Sequence, residues 1–270
     1  MKFWKDELKK NICTIGELKE IIPLDKKEED VLKKISQRHP INITRYYLSL
    51  IDVEDKNDPL RKILVPSIFE LSRKGSYDTS GEKKNVKVTG LQHKYDQTAL
   101  ILTTNYCASY CRFCFRRRLI GISNKEVLSE LDPVIKYISE HKEINNVLLS
   151  GGDTLTLENN IIKEYLERLT EIDHLEYIRI GSRVPIVFPS RIISDNSLLE
   201  ILKEFTLKKR IHIVTHFLHP KEITPKSTEA FNKLLNCGLI VHNQTVLLKE
   251  INDNPNILAD LLNKRASSYK

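Results

Sequence analysis

The chain has 270 residues, 40% hydrophobic and 29% charged, which supports one large domain or one domain with an extension. With 9 Gly and 10 Pro, collagen-like and linker-dominated classes are excluded, and with no apolar run near ~18 residues a helical membrane span is not expected. The net charge of +7 is spread without a long basic block; it bears on solubility and suits an anionic substrate, and nucleic-acid binding is not expected.

The start, Met1–Lys10, is charged and amphipathic, unlike a secretory leader, and Asp6 and Glu7 speak against a mitochondrial presequence. Up to about residue 95 the pattern reads as helical and polar. Trp4, Leu8 and Ile12 share one helix face. Thr14 with Glu17, and Asp25 with Glu28, resemble capping boxes ahead of helices. Lys74–Lys87 reads as a surface loop, and a boundary is placed near residue 90, giving an extension (1–90) and a main domain (91–270).

Beyond it, short β-branched runs alternate with amphipathic helices. The runs are Ala99–Thr104, Asn146–Ser150, Tyr177–Gly181, Ile211–Thr215 and Ile240–Leu248. Helices are expected near Glu126–His141, Asn159–Glu171, Asp195–Leu207, Pro225–Leu235 and Asn256–Lys264, the last two signalled by Pro225 and Pro255 at first helical positions. Alternation at about 30 residues per unit is the pattern of parallel βα units. The fold class is α/β, and five such units form an open sheet or an incomplete barrel. In both, chemistry sits at the carboxyl ends of the strands. The unusual residues fall there: three cysteines, Gly151-Gly152-Asp153, Ser182-Arg183, then His216 and His219.

Of the five cysteines, Cys107, Cys111 and Cys114 form a Cys-x3-Cys-x2-Cys cluster directly after the first run; Cys13 and Cys237 stand apart. An odd count without a secretory signal points to a reducing, cytoplasmic compartment. Thiolates suit zinc or an iron–sulfur cluster. Structural zinc wants four protein ligands, so Cys13, Cys237 or a histidine would have to complete the set. Three thiolates on a [4Fe–4S] cluster would leave one iron open to a small molecule.

This cysteine spacing, with Phe113 before the last cysteine, resembles the radical S-adenosylmethionine (radical SAM) superfamily. More narrowly, Tyr46–Ile51, Gly90–Tyr95, Cys111–Arg117, Leu148–Asp153, Arg179–Arg183, Thr215–Phe217 with His219-Pro220, and Asn243–Leu248 resemble the lysine 2,3-aminomutase family over almost the whole chain. The resemblance implies a partial, six-unit (β/α) barrel with an N-terminal helical extension. It implies a [4Fe–4S] cluster on Cys107, Cys111 and Cys114 that cleaves S-adenosylmethionine reductively to a 5′-deoxyadenosyl radical. The reaction implied is α-to-β amino migration on lysine or a related amino acid, with pyridoxal phosphate holding the nitrogen; the alternatives are a radical SAM enzyme that needs no pyridoxal phosphate, and a non-catalytic metal-binding scaffold. By position, Arg116 would bind the substrate carboxylate, and Tyr95 would lie near pyridoxal phosphate. Gly151, Gly152 and Asp153 would hold the methionyl amino group, with His216 and Gln244 contacting ligands. A solvated basic patch is the plain alternative for Arg112, Arg116, Arg117 and Arg118, and is expected of at least one.

The sequence also departs from the family. Thr98 stands where the resemblance places an arginine against the cofactor phosphate, and Asn254 where it places a zinc-binding cysteine. The sixth strand, the selecting carboxylates and the Schiff-base lysine would lie beyond residue 270. The sequence is therefore expected to be a truncated or split product, completed by a separately encoded C-terminal partner, within a homo-oligomer.

Overall fold

A computed structural model describes residues 3–72 and 75–268. Met1, Lys2, Arg73 and Lys74, and the end of the expected polar tail at Tyr269 and Lys270, lie outside the described residues. Seven strands form one sheet in sequential order: β1 (Val86–Val88), β2 (Leu91–Tyr95), β3 (Thr98–Thr104), β4 (Asn146–Gly151), β5 (Tyr177–Gly181), β6 (Arg210–Thr215) and β7 (Ile240–Asn243). Strands β3 to β7 are parallel, while β1 and β2 add antiparallel at the edge of β3. After β3 to β7 come the helices Asp132–Glu140, Asn159–Thr170, Asn196–Thr206, Pro225–Asn236 and Pro255–Ser268. Sequential order with right-handed crossovers puts these helices on one face of the sheet. All five expected βα units are present, in an open sheet compatible with a partial barrel.

The alternation of side chains decides which face is buried. Ala99, Ile101, Val147, Leu149, Ile178, Ile180, Ile211 and Ile213 lie under the helices. Their alternates Leu100, Leu148, Arg179 and His212 occupy the other, concave face and are only half-buried.

The first 95 residues are not wholly helical. Val86–Val88 and Leu91–Tyr95 form strands, and the boundary expected near residue 90 falls in the turn between them. Nor is this part merely polar. Ile12, Leu18, Ile22, Leu32, Ile43, Leu60 and Ile63 are buried in the same apolar core as the sheet. Thr14 and Glu17 cap reciprocally; Asp25 accepts from the Glu28 amide without the return bond. Pro225 and Pro255 open their helices as expected. Strand β7 ends at Asn243 rather than Leu248, because the Asn243 side chain accepts from the Phe217 amide at 2.7 Å and Leu248 N–H is taken by Asn252 at 2.7 Å.

A buried polar knot fastens the N-terminal helix Phe3–Leu8 to the domain. Trp4 Nε1 donates to Asp195 at 3.0 Å, and the Trp4 ring lies 4.2 Å from the fully buried Arg191 guanidinium. Arg191 donates to Asp195 at 2.6 Å, to Asn159 at 2.7 Å and to the Leu155 carbonyl at 3.0 Å. Burial alone would raise the Asp195 carboxyl; the Ser197 hydroxyl, Arg191 and the Leu198 amide outweigh it and hold it at about 2. Replacing Arg191 by Met strands that carboxylate, so Arg191→Met is expected to lower stability by about 3–5 kcal/mol, read as an earlier urea midpoint with the same slope. Asp195 sits below its ordinary 3.8, so its contribution is full above that value and is lost as pH falls toward 2. The acid-unfolding curve of Asp195→Asn should be flatter than wild type across that window.

Candidate functional site

Cys107, Cys111 and Cys114 sit on the irregular segment leaving the carboxyl end of β3. A loop carries backbone groups that no ladder satisfies. Here the N-terminal part satisfies them. Asn42 donates to the Cys107 carbonyl at 2.8 Å and Asn11 to the Ala108 carbonyl at 2.9 Å. Tyr110 N–H reaches the Asn42 carbonyl at 2.8 Å, and Arg112 N–H the Ile63 carbonyl at 2.9 Å. The loop is thus held before any ligand arrives.

From the other side the glycine motif grips it. Gly152 N–H donates to the Thr104 carbonyl at 2.6 Å and Asp153 N–H to the Tyr106 carbonyl at 2.9 Å. A Cβ on Gly152 would lie 2.2 Å from the Tyr106 oxygen, and one on Gly151, whose φ is +101°, would lie 2.6 Å from the Thr104 oxygen. These glycines are needed for backbone against backbone. The Asp153 carboxylate is buried and bonds within the protein: Ser182 hydroxyl at 2.7 Å, and the amides of Arg183 at 2.7 Å, Val184 at 3.0 Å and Leu155 at 3.2 Å. It ties the end of β4 to the end of β5.

The three thiols are partly shielded from water and close enough to feel one another. Burial pushes all three up, Cys114 to about 11; at Cys111 the Arg183 guanidinium opposes it. Among the described residues, no three His, Cys, Asp or Glu side chains converge as ligands of a single metal ion. A cluster does not require that convergence, since each thiolate binds its own iron. Cys237 lies against the Leu199 carbonyl in the helix layer, away from the loop. Three soft donors, a preformed backbone and restricted water access fit an iron–sulfur cluster.

Arg183 is the site residue the sequence reading left unassigned. It donates to Cys111 Sγ, to Glu222 at 2.6 Å and to the His216 carbonyl at 3.3 Å. Tyr47 donates to the same Glu222 at 2.5 Å. His216 lies beside it, hydrogen-bonded to Gln244, and burial with the neighbouring Arg183 lowers it to about 4. His216 and Gln244 are therefore brought together next to the cysteines. His219 instead accepts from the Lys221 amide at 3.2 Å as a cap.

The arginine cluster is not a solvated patch, contrary to expectation for at least one member. Glu70 and Glu82, on single 3₁₀ turns of the N-terminal part, neutralise it. Arg112 donates to Glu70 at 2.6 and 3.0 Å, and Arg117 shares that carboxylate. Arg118 meets Glu82 at 3.2 Å and also Glu126. Arg116 donates to Glu82 at 2.8 Å and to Ser150 Oγ, at the top of the concave face, at 2.9 Å. Arg116 thus enters the concave face at the cysteine end.

Tyr95 is not brought to this place. It pairs with Thr98 in the β2–β3 hairpin, at the opposite end of β3, and is 64% exposed. The seven residues of β3 put about 20 Å between Tyr95 and the cysteine loop. Thr98 hydrogen-bonds Asn146 at 3.2 Å.

The clamp makes a sharp prediction. Gly152→Ala forces the Tyr106 carbonyl aside, at a cost of about 1–3 kcal/mol. The variant should keep its far-ultraviolet circular dichroism but lose most of its capacity to incorporate iron and sulfide, read by iron content and visible charge-transfer absorbance.

The sequence profile of the radical SAM superfamily matches residues 101–262. Two Aquifex aeolicus proteins carrying the L-lysine 2,3-aminomutase name are each 40% identical, over 94% and 96% of this chain and 68% and 70% of their own length. The L-lysine 2,3-aminomutase of Clostridium subterminale is 39% identical over 97% of this chain and 62% of its own. The glutamate 2,3-aminomutase of Clostridioides difficile is 37% identical over 98% of this chain and 63% of its own. The chain spans 55 to 70% of the length of such relatives. A cysteine triad clamped at the carboxyl end of a parallel βα sheet, a matching profile and this similarity agree: the chain belongs to the radical SAM superfamily and, within it, to the lysine 2,3-aminomutase family.

Proposed function

We propose that this chain holds a [4Fe–4S] cluster on Cys107, Cys111 and Cys114, binds S-adenosylmethionine beside it, and moves an amino group between adjacent carbons of an amino acid. The single observation that carries the reading is the partly shielded cysteine loop, clamped through its backbone from both sides. When bound, cluster and S-adenosylmethionine supply a carbon radical able to take hydrogen from an unactivated position. The chain's own residues position and exclude. Arg116, with Nε paired to Glu82 and Nη1 on Ser150, presents its fixed guanidinium edge at the mouth of the concave face, where a substrate carboxylate would compete with or share the Glu82 pair. Gly151, Gly152 and Asp153 set the loop's distance from the sheet, and the His216–Gln244 pair lines the same end.

Lysine, glutamate and arginine are all admitted by a carboxylate-reading arginine. Residues 1–90 act, on this reading, as a strap for the domain of 91–270. We further propose a reduced, cytoplasmic setting for the oxygen-sensitive cluster; among the described residues no helix is long and apolar enough to cross a membrane. A homo-oligomer, or a separately encoded chain, would cover the outer edge of β7, where Ile240 is exposed.

The test is anaerobic loading with iron and sulfide, followed by reductant and S-adenosylmethionine. Formation of 5′-deoxyadenosine, abolished by Cys111→Ala, is the expected result; a loaded cluster that releases none would sink the proposal. With lysine, glutamate and arginine compared as substrates, Arg116→Lys should raise KM by about tenfold or more through loss of the fork, without removing the cluster signal.

A further inference from the structure

The concave face carries a second, unassigned group of basic side chains. Arg179 on β5 and His212 on β6 are register partners. The Tyr177, His212 and His242 rings stack in a diagonal row, neighbouring centroids 5.0 Å apart. His212 Nδ1 and His242 Nε2 are 2.9 Å apart and share a hydrogen bond. Asn146 fixes the Arg179 guanidinium by accepting from it at 2.6 Å.

Two features make this group more than a structural knot. Arg179 Nε and His212 Nε2 are buried atoms without a hydrogen-bond partner. Such atoms normally find one, because leaving them unpaired is unfavourable by more than the bond itself gains. The fixed charges around them are also of one sign. Burial first, then neighbouring His242, Arg179 and Arg210, lower the proton affinity of His212. No salt bridge joins Arg179 or Arg210 to a carboxylate among the described residues. The four arginines at the cysteine loop, by contrast, all have carboxylate partners.

An uncompensated guanidinium beside a histidine pair, with two unused N–H or N positions, suits a doubly charged oxyanion. Flanking Leu100 and Leu148 on the same face give an apolar wall for an organic body. Leu148, the register partner of Arg179, lies two residues below Ser150, which Arg116 touches. That places the group about 7 Å along the strands from the cysteine end, within one small molecule's length. Exposed Arg210 and His242 leave the approach open to solvent.

We propose that Arg179, His212 and His242 form a subsite for the phosphate monoester of a small molecule bound on the concave face. The positive charge that Thr98 does not supply on β3 comes instead from β5, β6 and β7. The anion preference stands on this geometry alone; occupation by pyridoxal phosphate in particular rests on the function proposed above.

The experiment uses the full chain, titrated with inorganic phosphate, pyridoxal 5′-phosphate and pyridoxal without S-adenosylmethionine. Binding is read by calorimetry and by the His212 ring resonance, assigned with His212→Gln. Phosphate and pyridoxal phosphate are expected to bind and to move that resonance toward the protonated position, with pyridoxal at least about tenfold weaker. Arg179→Lys and His242→Ala, both expected to keep the wild-type melting temperature, should each weaken phosphate binding several-fold. Pyridoxal phosphate much tighter than inorganic phosphate identifies the cofactor as the occupant; equal affinity identifies a general phosphate subsite. The proposal is overturned if millimolar phosphate and pyridoxal phosphate leave the His212 resonance unmoved, or bind both variants as well as wild type. Cys111→Ala should retain phosphate binding while losing 5′-deoxyadenosine formation, which keeps failure here distinct from failure of the radical reading.

Discussion

The site depends on a loop with no secondary structure of its own being made rigid by foreign backbone and amide partners. Its carbonyls and amides are satisfied by Asn11, Asn42 and Ile63 on one side and by Gly152 and Asp153 on the other. A cluster ligand loop must hold three sulfurs in fixed relation without a helix or strand to do it. The N-terminal part is therefore a working piece of the centre. Its buried isoleucines and leucines join the core of the sheet, and its two short 3₁₀ turns bring Glu70 and Glu82 to the arginines.

Charge follows the same logic. A net +7 reads as diffuse from the sequence, yet the folded chain sets two groups of cations apart on and around the concave face. Those beside the cysteines are matched by acids from more than thirty residues away, which fixes their geometry. Arg179 and Arg210 on the lower concave face have no carboxylate partner among the described residues; Arg179 is held by the neutral Asn146. Unmatched positive charge inside a fold is unfavourable unless something anionic visits.

Much of this was legible in the sequence, for reasons that differ by element. Strands β3 to β6 declared themselves because β-branched residues alternate under a helix layer, and Pro225 and Pro255 marked their helices. The cysteine spacing is local and so survives linear reading. Strands β1 and β2 did not show, because Val-Lys-Val and Leu-Gln-His-Lys-Tyr are short and half exposed. Arg183, Glu222 and Tyr47 were invisible as a group, since the bonds joining them span 39 and 175 residues. The backbone contact of Gly151 and Gly152 with the Thr104 and Tyr106 carbonyls was not legible, since it joins segments more than forty residues apart.

The Trp4–Asp195 hydrogen bond closes a span of 191 residues. During synthesis the first helix emerges early, yet its anchor is made only after β5 and the two short helices that follow, Val184–Val187 and Ser190–Ile193. Asn11, Asn42 and Ile63 precede the cysteine loop in the chain, whereas the Trp4 anchor and the glycine clamp follow it. Long-range closures of this kind are slow relative to local helix formation. A delivery system that met the nascent thiols would find them without the Gly152–Asp153 clamp, which is synthesised after them, and one that met the finished fold would find them set.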